Sequence, residues 1–146
     1  QHAPVVLVVD DGADNRKLLS IHLRRAGAEV ETAENGRVAI DRLLETEGTP
    51  AAPQLVLMDM QMPELDGYDA TRLLREKGFT LPIIAVTAHA MAGDDRRCLD
   101  AGCDGYVVKP IDFPQLVETV AEHLAGPAIG NQRPGVRAEG SLPADR

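Results

Sequence analysis

The sequence has few cysteines, no excess of positive charge and no long hydrophobic run. Cys98 and Cys103 are too few for a secreted disulfide framework or a four-ligand zinc site, so we expect reduced thiols. A net charge of -8 argues against direct binding of nucleic acid, which draws on clustered Lys and Arg. No stretch approaches the roughly 18 apolar residues of a membrane-spanning helix, and the first residues lack the charged region followed by an apolar region that is typical of a secretory leader. We therefore expect a soluble, cytoplasmic segment without membrane contact, whose parent protein could be membrane-anchored.

Short apolar runs alternate with stretches of helical period, which is typical of βα units around a parallel sheet. The first, third and fourth runs are almost wholly apolar, as expected of strands covered on both faces. The second is shorter and more polar, which predicts an edge strand. The five predicted strands are Val5–Val9, Glu29–Thr32, Leu55–Met58, Ile83–Val86 and Tyr106–Val108.

Apolar residues at helical spacing predict five helices between and after these strands. Helix one is predicted from about Asp14 to Ala26, ahead of Gly27, and helix four over Asp94–Ala101, ahead of Gly102. The segment from Glu47 to Gln54 is longer than a usual helix-to-strand connection and predicts a surface loop. The other helices are indicated by Val38, Ala39, Leu43 and Leu44, by Ala70, Leu73 and Leu74, and by Leu116, Val117, Val120 and Leu124.

A change of composition near residue 125 predicts the domain boundary. From Gly126 to Arg146 the apolar period disappears, and Gly and Pro supply 7 of 21 residues. Such a composition buries too little apolar surface to offset chain ordering. We expect one domain over residues 1–125 and a flexible tail or linker over 126–146. Because the chain opens on Gln1 and a strand follows at once, we also expect a fragment of a longer protein.

Polar residues collect where four predicted strands end, at the edge where ligands bind in open α/β sheets. Asp10 and Asp11 follow the first strand, and Asp59, Thr87 and Lys109 follow the third, fourth and fifth. Three carboxylates repel one another unless a cation is present, and an oxygen-only set favours Mg²⁺. A carboxylate can also be a nucleophile that forms an aspartyl phosphate.

Each of these residues has a simpler interpretation when taken alone. An Asp at a strand end is more often a turn former or helix cap, Thr87 fits a strand, and Lys109 fits a solvated surface. The functional interpretation depends on all five lying together.

The sequence resembles the receiver domains of two-component response regulators, and most of all those attached to hybrid sensor histidine kinases. The resemblance covers about Val5 to Ala125, with the family's motifs in their usual order. It implies a flavodoxin-like, doubly wound α/β fold with a five-stranded parallel sheet in the order 2-1-3-4-5 and five helices. The matching segments are VVLVVDD (Val5–Asp11), LVLMDMQMPELDG (Leu55–Gly67), IIAVTAHAM (Ile83–Met91) and DGYVVKPI (Asp104–Ile111).

The resemblance also implies a role for each matching residue. Asp59 would accept a phosphoryl group from a phosphohistidine, and Mg²⁺ would be held by Asp11, Asp59 and the backbone carbonyl of Gln61, with Asp10 acting through a water. Lys109 would contact the phosphoryl oxygens, and Thr87 and Tyr106 would form the switch pair that alters the helix 4, strand 5 and helix 5 face. Gln61 and His89 would tune phosphoryl lifetime, although His89 could be a plain loop residue. The Lys109-Pro110 bond would be cis.

The implied partner is a histidine kinase or a histidine phosphotransfer domain, and a weak homodimer is allowed. The parent would be a hybrid kinase or, alternatively, a stand-alone or excised response regulator. One departure from the family is Gly12, where many receivers carry an acidic or amide residue, and another is the long loop from Glu47 to Gln54.

Two other classes stay open on the residues alone. A phosphatase of the haloacid dehalogenase type would carry an Asp two residues after the nucleophile, where this chain has Gln61. A flavodoxin-like nucleotide-binding module would have a loop rich in Gly, Ser or Thr after strand one, where Asp10 and Asp11 stand.

Overall fold

The computed structural model describes residues 3–63, 65–88 and 94–125. Within them, five strands and five helices alternate, which confirms the predicted βα organisation. The strands are β1 (Val5–Val9), β2 (Glu29–Ala33), β3 (Leu55–Asp59), β4 (Ile83–Thr87) and β5 (Gly105–Val108). The helices are α1 (Ala13–Arg25), α2 (Gly36–Thr46), α3 (Gly67–Glu76), α4 (Asp94–Ala101) and α5 (Phe113–Ala125).

All strand pairs are parallel, and the sheet order is β2-β1-β3-β4-β5. This order confirms the flavodoxin-like, doubly wound sheet and the predicted edge position of β2. Because β1, β3, β4 and β5 are consecutive neighbours, the residues at their carboxyl ends come together at one edge of the sheet.

The sheet separates two hydrophobic cores. On one face, Leu7, Val56 and Ile83 pack with residues of α2, α3 and α4. On the other, Val6 and Leu57 pack with residues of α1 and α5. Since alternate residues of one strand enter opposite cores, β1, β3 and β4 are buried along their whole length.

The strand and helix ends differ from the predicted ones by a residue or so. β3 and β4 each continue one residue further, through Asp59 and Thr87, because Met60 N–H donates to Val86 O and Lys109 N–H donates to Thr87 O. Helix α1 begins at Ala13, because Gly12 is its extended N-cap residue. Gly27, at φ +105°, ends this helical segment as predicted.

The segment from Glu47 to Gln54 is a surface loop, as predicted, although Pro53 within it is buried. It returns the chain to the amino end of β3, where Gln54 N–H donates to Val5 O. None of the helices in the described ranges has the length and apolar character needed to cross a bilayer. The tail from Gly126 onwards and His89 lie outside the described residues.

Candidate functional site

Four neighbouring strands deliver their last polar residues to one edge of the sheet. Asp10 and Asp11 follow β1, Asp59 and Thr87 are the last residues of β3 and β4, and Lys109 follows β5. Asp10, Asp59 and Thr87 are almost completely buried, whereas Asp11 is exposed. The sheet therefore brings together all five residues that the sequence placed at strand ends.

The three aspartates form a compact carboxylate cluster. One oxygen from each lies within 4.8 Å of the others. Burial raises the pKa of Asp59 above its ordinary value, and the nearby charges of Asp10 and Asp11 act in the same direction. The backbone amide of Gln61 and the ammonium of Lys109 lower the pKa of Asp59. A close, oxygen-only set with excess negative charge fits a hard divalent cation such as Mg²⁺.

Two of these carboxylates also organise the turns that follow them. Asp10 Oδ1 accepts a hydrogen bond from the Gly12 N–H at 2.8 Å, and Asp59 Oδ1 accepts one from the Gln61 N–H at 3.0 Å. The turn-forming interpretation of an Asp at a strand end is therefore confirmed for both residues, and the clustering keeps the functional interpretation open. Each buried carboxylate commits one oxygen to a local turn while remaining part of the cluster.

Lys109 brings a positive charge to the cluster. Its Nζ lies 3.6 Å from Asp59 Oδ1, and the lysine side chain is 28% exposed. The Lys109-Pro110 peptide bond is cis, the isomer that the resemblance implied. The ammonium faces Asp59 while staying open to solvent, so it can reach both this carboxylate and an anion bound beside it.

Thr87 and Tyr106 lie on adjacent strands and on the same face of the sheet. Thr87 is paired in register with Val108, and Tyr106 is two residues before Val108, so its side chain points to the same face. The threonine is 1% exposed and the tyrosine is 44% exposed. The two side chains therefore lie on one face of the sheet, with Thr87 buried at the site and Tyr106 partly exposed on the neighbouring strand.

Two close neighbours of the site were given no role from the sequence, although Gly67 ends one of the segments that match the receiver family. Arg16, on the first turns of α1, donates from Nη1 to the Asp10 carbonyl oxygen at 2.7 Å. Gly67 begins α3 so close to the end of β3 that a Cβ there would lie 2.4 Å from the Asp59 carbonyl oxygen. Both contacts depend on how the helices pack against the strand ends, which a linear pattern does not encode.

Comparison with known proteins identifies relatives of two kinds. The response regulator receiver domain family matches residues 6–121. The chain is 41% identical over 119 residues to hybrid signal transduction histidine kinase I of Dictyostelium discoideum, and 39% identical over 117 residues to sensor histidine kinase RcsC of Salmonella typhi. These matches cover 79% and 80% of the chain but only 7% and 12% of the kinases. The chain is also 37% identical over 121 residues to the polar-differentiation response regulator DivK of Brucella anthropi. This match covers 82% of the chain and 94% of DivK.

Solved structures agree with this relationship. A putative response regulator from Chloroflexus aurantiacus superposes with a TM-score of 0.77 at 30% identity, covering 84% of this chain and 98% of that one. The chemotaxis protein CheY4 of Vibrio cholerae gives a TM-score of 0.74 at 28% identity, covering 82% of this chain and 98% of its own. The family match over residues 6–121 reaches all five strands and includes the three aspartates of the carboxylate cluster. The chain belongs to the response regulator receiver domain family of two-component signalling.

Proposed function

We propose that this domain accepts a phosphoryl group on Asp59 from a phosphohistidine of a histidine kinase or a histidine phosphotransfer domain. The observation that carries the proposal is the placement of Asp59, which is buried among two other carboxylates and lies 3.6 Å from Lys109 Nζ. In the transfer, an Asp59 oxygen bonds to phosphorus while the bond from phosphorus to the imidazole nitrogen breaks. The imidazole leaves with the electron pair of that bond.

The surrounding residues divide the remaining tasks. Asp11, Asp59 and the backbone carbonyl of Gln61 would hold Mg²⁺, and Asp10 would act through a metal-bound water. When bound, Mg²⁺ supplies the positive charge that lets an anionic carboxylate approach an anionic phosphoryl group. The Lys109 ammonium, on the β5 side of the site, contacts the negatively charged phosphoryl oxygens.

After transfer, Thr87 and Tyr106 act as the switch pair. The Thr87 hydroxyl donates to the new phosphoryl group, and the Tyr106 ring changes rotamer in the space beside it, which alters the surface of α4, β5 and α5. The phosphoryl group must favour one of these two arrangements for the switch to operate. Hydrolysis by water resets the domain, at a rate that Gln61 and His89 tune.

The parent protein is most simply a hybrid histidine kinase in the cytoplasm or at a membrane. A stand-alone regulator is the alternative, because relatives of both kinds match this chain.

The test is phosphorylation by acetyl phosphate with MgCl₂, followed by intact mass and peptide mapping. We expect one added phosphoryl mass on the parent, located on Asp59, and none after chelation of magnesium. Asp59→Asn should abolish it, because an amide oxygen is too weak a nucleophile to replace the carboxylate. Asp69→Asn makes the same change on the exposed side of α3 and should label like the parent. Undiminished labelling of Asp59→Asn on another side chain would overturn the proposal.

A further inference from the structure

Arg16 places a positive charge where a helix does not favour one. It lies on the first turns of α1, where the N–H groups and the helix dipole repel cations. The Arg16 side chain points back towards the helix start, as helical side chains do, and its Nη1 donates to the Asp10 carbonyl oxygen at 2.7 Å. The hydrogen bond to the Asp10 carbonyl gives the guanidinium a backbone partner at this position.

The Arg16 side chain and the backbone of the first turn of α1 hold the two ends of the short β1 to α1 connection. At one end, its guanidinium holds the carbonyl of Asp10, whose N–H is already bonded to Ala33 O at 3.1 Å. At the other, its backbone N–H donates to Gly12 O at 3.0 Å. The Gly12 N–H also donates to Asp10 Oδ1 at 2.8 Å. Asp11 is the residue between these fixed points.

We propose that Arg16 is a positioning residue that holds the connection between β1 and α1 so that Asp10 and Asp11 are presented to a divalent cation. The inference rests on the proposed function, which supplies the cation. Arg16 acts through the backbone of Asp10 and does not touch the metal or the phosphoryl group.

Two effects of Arg16 on Mg²⁺ binding have opposite signs, which makes the proposal testable. As a nearby cation it repels Mg²⁺, so loss of its charge alone would tighten binding. As a support for the connection it reduces the ordering needed on binding, so its loss weakens binding. We expect the second effect to be larger, because residues that orient metal ligands typically contribute roughly 10- to 100-fold in affinity.

Arg24 offers a matched control on the same helix. It lies in the last turn of α1, and its Nη2 also donates to a backbone carbonyl, that of Val30, at 3.4 Å. Arg24→Met and Arg16→Met therefore make the same change in charge and side chain and remove the same kind of bond. Only the second change is made beside the carboxylate cluster.

The experiment is a titration with MgCl₂ followed by backbone amide shifts, which also report whether each variant is folded. We expect Arg16→Met to raise the Kd for Mg²⁺ about 10-fold or more, Arg16→Lys to lie between it and the parent, and Arg24→Met to match the parent. With acetyl phosphate, the MgCl₂ concentration for half-maximal labelling should rise in parallel with the Kd. The labelling rate at saturating Mg²⁺ should stay within about threefold of the parent.

The outcomes separate this inference from the proposed function. If the parent shows no Mg²⁺ binding, the proposed function fails. If the parent binds and Arg16→Met binds equally well or more tightly, the positioning role is overturned, since charge repulsion then dominates. Equal weakening by Arg24→Met would also overturn it, by showing that the loss of affinity does not depend on the contact beside the carboxylate cluster. If Arg16→Met does not fold, Arg16→Lys decides, and an unchanged Kd together with an unchanged melting temperature would count against the inference.

Discussion

The charged side chains are paired at the amino end of the sheet, whereas negative charge is in excess at its carboxyl end. At the amino end, Arg75 of α3 pairs with Asp104 at 2.8 Å, and Asp104 also accepts the Ile83 N–H at 2.9 Å. At the carboxyl end, three carboxylates lie together, the ammonium of Lys109 is near one of them, Asp59, and the pKa of Asp59 is raised. The remaining Arg75 donors go to the backbone carbonyls of Gly102, Phe79 and Leu81.

The difference indicates which end stabilises the fold, and the other end is the one at which we propose that a cation binds. Satisfied charges at the amino end join α3, β4 and the turn into β5, so they stabilise the native arrangement. Excess negative charge at the carboxyl end opposes folding in the absence of a cation, and is expected where function takes precedence over stability. The contrast predicts that equivalent substitutions at the two ends change stability in opposite directions.

The largest effect is expected from Arg75→Met at the amino end. This substitution leaves Asp104 without its partner and leaves three backbone carbonyls without theirs. Because the arginine and aspartate side chains are only 23% and 32% exposed, we expect a loss of about 2–4 kcal/mol in the free energy of unfolding. Urea denaturation followed by far-UV circular dichroism measures it.

Arg72→Met is the control for this prediction. Arg72 lies on the same helix and pairs with Asp69, but the two side chains are 47% and 56% exposed. Its loss should therefore change stability by about 0–1 kcal/mol. Equal effects of the two substitutions would show that the amino-end contacts are no more stabilising than an ordinary surface pair.

The same contrast explains what could be predicted from the sequence. Uninterrupted apolar runs in β1, β3 and β4 and glycines such as Gly27 indicated the alternating units, because burial and turn geometry act locally. Five polar residues at strand ends then indicated the site once the strands were assumed to be neighbours. The strand order itself came from family resemblance. The contacts of Arg75 and Arg16 could not be predicted, because each joins a helix to a distant or sharply turned backbone whose position depends on packing.

A smaller, opposite effect is expected from Asp59→Asn at the carboxyl end. Without Mg²⁺, the change removes one of three crowded negative charges and should raise the melting temperature by roughly a few degrees. Thermal denaturation in a chelating buffer tests this. Asp69→Asn, on the exposed surface of α3, is the matched control and should not stabilise the domain. A lower melting temperature for Asp59→Asn would show that its bonds to Gln61 and Lys109 outweigh the repulsion.

The stabilisation by Asp59→Asn should also depend on pH. Since burial raises the pKa of Asp59 above 3.8, its proton is held more tightly in the folded than in the unfolded state. The resulting stability is present below pH 3.8 and is lost as the pH rises through the folded-state pKa. The advantage of Asp59→Asn over the parent should therefore grow across that interval and then level off. An advantage that shrinks with rising pH would mean that the pKa of Asp59 is lowered.

The smallest effect is expected from Gly12→Ala, although Gly12 departs from the family pattern and adjoins Asp11. Its φ of -95° is open to any residue, and an added Cβ would lie 3.3 Å from Asp10 Oδ1 and 3.4 Å from Asn15 Nδ2, so these two side-chain atoms need to move by only a few tenths of an ångström. Lower chain entropy in the unfolded state favours alanine by a few tenths of a kcal/mol, while glycine is the better N-cap, so stability should change by less than about 0.5 kcal/mol.

The Mg²⁺ affinity of Gly12→Ala should change by less than about threefold, whereas Asp11→Asn removes an anionic ligand and should weaken binding about 10-fold or more. Amide-shift titrations of both variants make the comparison. Equal affinities would mean that the Asp11 carboxylate is not a ligand, and would leave the cation with Asp10 and Asp59 alone among the three carboxylates.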